Sequence, residues 1–488
     1  MPHEADPFLV TLSLVGAVII ISALLSGLIE RSGAPQVAVL LALGAILGPF
    51  GLGLIDPKLD SPMLRVVSTL SLALVLFTDA LSLSLSEIRR HARLALLVVG
   101  PGTLLSAALV TLAGRLLLDL SWTLAAILGA ALSSTDPVLL RGLMRRPDLH
   151  SATRLALRLE SGLNDIVLLP IVLVAMALLG SRPLDQPGEA PRMALQLFLL
   201  GPGAGVAVGL LGVATLDLVR RRLGVRRDYE SLYSLGVAFT AFAAAESVHG
   251  SGFLAAFAAG MTISIFDVEL CDCFQEYGET TAELALLFTF VLLGSSLIWS
   301  GFASAGLFEW LFAVVALLVR PVAFLTSLGP AGLLERRNLF LIAWYGPRGL
   351  SSLLLVLLPV FAGTPGTGRL FQLCSLVVLL SVALHGGSLM LYGWKRGGTE
   401  APPPPQPSRE TIPAAETEPL PESLDIPELL RLQSSGQPVV VLDVRTLRSL
   451  EGSDRQAAGA VRINPERPVQ DAERLQLPRD AWLVAFCA

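Results

Sequence analysis

The chain has 488 residues, of which 53% are hydrophobic and only 15% charged; its net charge is −5 and its mean hydropathy +0.68. That profile describes a membrane domain followed by a soluble tail. It offers no clustered basic face, which excludes nucleic acid as a partner, and four scattered cysteines exclude a disulfide framework.

A helix crosses the hydrocarbon layer with about twenty apolar residues, which divides residues 8–393 into about thirteen predicted spans. They run over 8–28, 36–55, 64–85, 93–118, 122–144, 155–179, 193–220, 230–248, 251–266, 280–298, 302–329, 338–361 and 369–393. Loops after odd-numbered spans carry the arginine clusters, among them Arg89, Arg90 and Arg93, then Arg145 and Arg146, then Arg220, Arg221 and Arg222. Even-numbered loops hold little beyond Lys58, Arg182, Arg192 and Arg369. Positive loops stay in the cytoplasm, so the N-terminus is expected outside and the C-terminus inside.

Ionisable groups inside hydrocarbon cost at least a few kcal/mol, so those that persist are functional candidates. In chain order they are Asp79 in the third span, Asp136 in the fifth, Glu160 and Asp165 in the sixth, Arg320 in the eleventh and Arg348 in the twelfth. Each is expected about 12–16 Å from the cytoplasmic helix end, in one shared layer. The fifth span interrupts its own helix at Ser133-Ser-Thr-Asp-Pro137, because proline lacks a backbone donor and restricts the residue before it. The twelfth does the same at Tyr345-Gly-Pro-Arg-Gly349. Two interrupted spans in comparable halves point to a transporter site built on inverted repeats, with half-helix ends meeting at the midplane. Asp136 is expected at positive half-helix N-termini and Arg348 at negative C-termini.

The sixth span places Ser161 and Asp165 one turn apart, beside the turn-spaced pair Glu160 and Asn164. A carboxylate with a hydroxyl one turn away is a partial oxygen cage for a hard alkali cation. If Glu160 pairs with Arg320 and Arg348 offsets Asp136, then Asp79 and Asp165 keep an unmet negative charge. A cation or a proton must supply the balance, and competition between the two for one carboxylate, with alternating access, suffices for antiport.

These residues resemble the monovalent cation:proton antiporters of the sodium–proton exchanger type, the NhaP-like branch. The matching pieces are Leu76-Phe-Thr-Asp79, Thr135-Asp-Pro137, Glu160-Ser-Gly-Leu-Asn-Asp165, Glu246 through Ser251-Gly252 to Gly260-Met261, Arg320-Pro321 and Gly346-Pro-Arg-Gly349. The resemblance implies an all-α polytopic membrane protein with an NhaA-type antiporter fold spanning 8–396. It implies that Asp165 carries the ion, with Ser161, Thr135 and Asp79 helping to hold Na⁺, Asp79 through water. It further implies that Asp136 and Asn164 stabilise the crossed half-helices, and that Glu160 and Arg320 form a structural pair. Asn164 before Asp165 is similar to the electroneutral, one-for-one exchangers. A homodimer, a mobile six-helix core moving against a dimerisation domain and no cofactor beyond the transported Na⁺ and H⁺ are also implied, and the compact loops point to a plasma-membrane location. Li⁺ and K⁺ stay open as cargo, and Pro347 and Asp79 depart from the Leu and Glu common at those places.

Residues 397–422 read as a solvated, Pro-rich linker. Beyond them, 423–488 carry two short buried-strand patterns, Pro438–Arg445 and Asp480–Phe486, expected in a parallel sheet. This tail is similar to a rhodanese domain through Leu442-Asp-Val-Arg445, Gly459-Ala-Val-Arg462 and a strand ending at Cys487. Rhodanese chemistry requires a thiolate cradled by the loop that follows it. Only Ala488 follows Cys487 here, so the tail is expected to be an incomplete α/β domain with a thiol in the rhodanese-like position. The alternative reading of the whole chain is a membrane-tethered sulfurtransferase or sulfur-responsive regulator.

Overall fold

The computed structural model describes residues 36–83, 85–144, 149–179, 189–222, 227–266, 285–332 and 334–388, four isolated positions before them, and parts of 429–486. The expected span at 8–28, the linker 397–422 and Cys487 lie largely or wholly outside the described residues. The chain divides into two compact units, Met1–Arg396 and Gly397–Ala488.

The first unit is helical. Its helices are α1 (Gln36–Leu47), α2 (Pro62–Ser82), α3 (Thr103–Leu118), α4 (Trp122–Ser133), α5 (Pro137–Met144), α6 (Ser151–Leu179), α7 (Gly201–Arg222), α8 (Arg227–Ser247) and α9 (Gly252–Phe266). They continue with α10 (Ala285–Ser295), α11 (Leu307–Leu328), α12 (Arg336–Trp344), α13 (Leu350–Phe361) and α14 (Thr367–Ser381). Local chemistry sets several starts. Ser61 accepts the Leu64 N–H at 3.2 Å ahead of α2, with Pro62 at the first helical position, and Ser121 accepts the Leu124 N–H at 3.3 Å ahead of α4. Glu246 accepts the Gly252 N–H at 2.9 Å and so caps α9.

Among the described residues six helices are long and apolar enough to cross a membrane, or seven if α10 and Leu297–Ala303, bent by 54°, count as one span. This is fewer than the expected thirteen for identifiable reasons. Breaking α4 from α5 and α12 from α13 leaves apolar pieces too short to cross alone, and α1 and α9 are 12 and 15 residues long. The first turn of α8 holds Arg227, Asp228 and Glu230.

Packing is close enough for backbones to touch. A β-carbon at Gly205 of α7 would strike the Ala255 backbone of α9, and one at Gly260 of α9 would strike the Phe77 carbonyl of α2. Where helix backbones approach like this, only glycine fits. The buried interior is continuous through α2, α4, α6, α9, α11, α13 and α14, and the polar residues of the site lie within it.

In the second unit, β1 (Val439–Asp443), β2 (Val461–Arg462) and β3 (Trp482–Phe486) form a parallel sheet in the order β2-β1-β3. Val439 faces Trp482 and Asp443 faces Phe486. Asp443, at the end of the central strand, accepts from Arg445 at 2.9 and 2.7 Å and from Arg462 at 3.3 Å. The Arg445 hydrogen bonds hold its carboxyl below the usual carboxylate range.

Candidate functional site

The site is built on two helices that stop in the middle. After α4 the chain leaves the helix at Ser134 (ψ 138°), passes extended through Thr135 and Asp136, and resumes at Pro137, which tolerates the first helical position because it has no N–H to satisfy. After α12 it leaves at Tyr345 and resumes at Leu350. The two extended segments meet where the Asp136 N–H donates to the Pro347 carbonyl at 3.0 Å.

Interrupting a helix exposes its end groups, and the site satisfies them with charged side chains. The Asp136 carboxylate accepts the Leu350 N–H at 2.8 Å, at the positive N-terminus of α13. The Arg348 guanidinium donates to the carbonyls of Ser133 (3.0 Å) and Ser134 (3.3 Å), at the negative C-terminus of α4. One half-helix of each pair, α4 and α13, is thus capped by a residue of the other pair. Arg348 and Asp136 turn to backbone and not to each other, so the direct offset between their charges considered from the sequence is replaced by offset through the helix ends. Gly346 and Gly349 leave the room: a β-carbon at the first would coincide with the Arg320 guanidinium, and at the second with the Asp136 carboxylate.

Along α6, Glu160, Asn164 and Asp165 are all buried, the most exposed at 2%. Glu160 meets Arg320 at 3.3 and 2.5 Å, and Arg320 Nη1 also donates to the carbonyls of Ile342 and Ala343 at 2.6 Å each, tying α6, α11 and the end of α12 together. The Asn164 amide donates to the Thr135 hydroxyl at 2.8 Å. Asp165 Oδ1 accepts from the Ser134 hydroxyl at 2.6 Å. The Asn164 carbonyl oxygen has no hydrogen-bond partner among the described residues.

One placement differs from the sequence expectation. The hydroxyl on Asp165 belongs to Ser134, whereas Ser161 donates to the Arg158 carbonyl of its own helix at 3.4 Å. One-turn spacing puts two side chains on one face, but a serine inside a helix can turn back to its own backbone, while Ser134 in the extended segment is free to turn to the carboxylate. Asp79 is half-buried on α2, four residues before Leu83, against which a β-carbon at Gly162 of α6 would pack at 3.3 Å. Asp79 thus lies on a helix that packs against α6.

Sequence reasoning passed over Ser134, Ser352 and Ser381. Ser352 donates to the Ser134 carbonyl at 3.3 Å, and Ser381 accepts the Arg348 N–H at 2.7 Å. Their signal is faint, a hydroxyl in an apolar helix, and becomes legible only once the interrupted segments are known to need partners. Chemically, a buried carboxylate that keeps one hydroxyl beside it takes a proton or a hard monovalent cation. Among the described residues no three His, Cys, Asp or Glu side chains group to hold a metal ion.

Paired interrupted helices, capped by each other's charges beside a buried acid in an apolar bundle, define a helical membrane transport protein. The comparisons make the class particular. The family described as "Sodium/hydrogen exchanger, transmembrane" matches residues 18–395, and the chain belongs to it, a family of transporters and not enzymes. The chain is 28% identical over 401 residues to the K(+)/H(+) antiporter NhaP2 of Shewanella sp. (strain MR-4), covering 81% of this chain and 68% of that protein. It is 27% identical over 385 residues to the K(+)/H(+) antiporter NhaP of Alkalimonas amylolytica, covering 78% and 65%. Its fold is that of the sodium proton antiporter MjNhaP1 from Methanocaldococcus jannaschii at pH 8, with a TM-score of 0.65, 19% identity, and coverage of 78% of this chain and all of that one.

Proposed function

We propose that this protein exchanges a monovalent cation for protons at Asp165, one for one, by alternating access. The observation that carries the reading is the Asp165 carboxylate, 2% exposed and hydrogen-bonded to Ser134 where two interrupted helices cross. A charged acid at that depth demands a positive companion. One carboxylate with one neutral neighbour, Asn164, accepts one positive charge at a time, so exchange generates no membrane potential. Na⁺ is the cargo inferred from the oxygen-rich surroundings, held by Asp165, Ser161 and Thr135, with Asp79 contributing through water. K⁺ is the second candidate, because the relatives from Shewanella and Alkalimonas carry K(+)/H(+) in their names.

The arrangement behind this activity is about thirteen spans in inverted repeats, N-terminus outside and C-terminus in the cytoplasm of a plasma membrane, following the arginine pattern. We infer a homodimer in which a six-span core carrying α3–α6 and α11–α14 moves as an elevator against the remaining helices. The unit after 396 is read as a linker over 397–422 and a rhodanese-like domain over 423–488. Its parallel β2-β1-β3 sheet supports that reading, and Cys487 is its candidate thiol.

The test is cation-driven proton flux in liposomes, with Na⁺, K⁺ and Li⁺ in turn, wild type beside Asp165→Asn. Flux by wild type with Na⁺ or K⁺ and none by the variant is expected. Equal flux from the variant rejects Asp165 as the carrier, and a membrane potential built by wild type rejects the one-for-one ratio.

A further inference from the structure

The break between α12 and α13 has to be held open by something, because five consecutive residues out of helix leave buried donors and acceptors that cost free energy unless paired. At Arg348 the partner of the backbone N–H is a side chain from another helix, the Ser381 hydroxyl at 2.7 Å. Ser381 is fully buried at the end of α14, and immediately after it the helix widens into a π-turn over Val382–Gly386. Such turns are rare and cluster at functional sites, because the extra residue re-aims a side chain.

The side chain re-aimed here is His385, 4% exposed. Its Nδ1 lies 3.0 Å from the Ser381 hydroxyl and 3.1 Å from the Ser381 carbonyl. Its ring lies 5.7 Å from that of Trp344, the last residue of α12. The indole N–H of Trp344 donates to Ser388 at 3.4 Å, and Ser388 donates to the His385 carbonyl at 2.8 Å. One polar strip on α14 and its extension, Ser381, His385 and Ser388, therefore touches both edges of the interruption, Trp344 before it and Arg348 within it. Arg348 in turn holds the Ser133 and Ser134 carbonyls, and Ser134 holds Asp165.

We propose that Ser381 and His385 are positioning residues for the ion site. They splint the unwound segment so that Arg348 reaches the end of α4 and Ser134 stays on Asp165. Neither side chain is among those that touch Asp165. The inference rests on the exchange reading given above and adds to it a control point on α14. Without the Ser381 hydroxyl the segment spends much of its time in arrangements that cannot bind the cation, which lowers apparent affinity by the competent fraction and leaves the bound site itself unchanged.

The experiment measures proton flux against Na⁺ or K⁺ concentration, whichever drives wild type, for the full chain in liposomes. Wild type, Asp165→Asn, Ser381→Ala, Ser381→Thr and His385→Leu are compared. Ser381→Ala should raise the half-saturating cation concentration about tenfold, as expected for an abandoned buried donor, with the maximal rate kept within about twofold. Ser381→Thr, which keeps the hydroxyl, should return close to wild type, and His385→Leu should shift in the same direction by less. Half-saturation unchanged in Ser381→Ala, or Ala and Thr equally impaired, overturns the proposal. If Ser381→Ala yields no folded protein, His385→Leu decides, and an unshifted half-saturation there also overturns it. Absence of cation-coupled flux in wild type would reject the exchange reading instead. Amide exchange over 345–349 in wild type and His385→Leu then judges the splint separately: faster exchange in the variant supports it, and equal rates remove it.

Discussion

Arg320 is the residue whose removal the structure prices most clearly. Its guanidinium makes two bonds to Glu160 and two to the carbonyls of Ile342 and Ala343, and it lies 4.3 Å over the Phe324 ring. Arg320→Met keeps much of the stem and its packing while deleting every one of those donors. Glu160, 1% exposed, is left as a buried charge without its partner, a loss worth about 3–5 kcal/mol. Each carbonyl abandoned at the end of α12 adds about 1–3 kcal/mol if nothing else reaches it. A destabilisation of about 5–11 kcal/mol follows, which in a unit of this size lowers the melting midpoint by about 6–13 °C. The assay is thermal unfolding of the detergent-purified chain. Neutralising the stranded acid as well, in Glu160→Gln combined with Arg320→Met, should recover part of the loss, because the amide is cheaper to bury than the charge. A single variant that melts with wild type, or a double variant that melts below it, would refute the assignment of Arg320 as the tie between α6, α11 and α12.

Gly349→Ala should abolish flux while leaving most of the helical content intact, because the added carbon falls on the Asp136 carboxylate that caps α13; flux assays and circular dichroism together check it. Ser134→Ala deletes the 2.6 Å hydrogen bond to Asp165 and should cut cation affinity about tenfold, the scale of a hydrogen bond to a charged group, measured as half-saturation of flux. In the second unit, Arg445 holds Asp443 below the usual carboxylate range. A depressed folded-state value stabilises above the unfolded value, near pH 4, and that stabilisation is lost as pH falls through the folded value. The protection of the Val439–Asp443 amides, the observed exchange rate referred to the intrinsic rate at each pH, should therefore stay high at neutral pH and fall in acid, and Asp443→Asn should remove the acid-dependent step.

The features legible in the sequence were those with a physical signature inside one segment. Pro137 and the Gly346-Pro347 pair announce interruptions because they deny the helix a donor or a conformation. Glu160, Asp165, Arg320 and Arg348 stand out because charge in hydrocarbon is costly. The parallel pairing of Val439–Asp443 with Trp482–Phe486 follows two short apolar runs. Contacts between segments were less legible. Helical spacing nominated Ser161 as the hydroxyl on Asp165, but spacing relates only residues of one helix, and the hydroxyl that arrives comes from a neighbouring segment with no helix to constrain it. The role of Arg348 likewise depended on knowing that the carbonyls of Ser133 and Ser134 would be left without helical partners. The π-turn at Val382–Gly386 has no proline or glycine within its first four residues to mark it, so the alignment of His385 with Ser381 was invisible until the backbone was seen.

One carboxylate holding either a cation or a proton makes a stoichiometric demand. Calorimetric titration of the purified protein with the transported cation, repeated in buffers of different ionisation enthalpy, counts the protons released per cation bound. The account predicts close to one for wild type near the pH at which exchange is active, and no cation binding for Asp165→Asn. Cation binding without proton release, or binding that survives in Asp165→Asn, would contradict it.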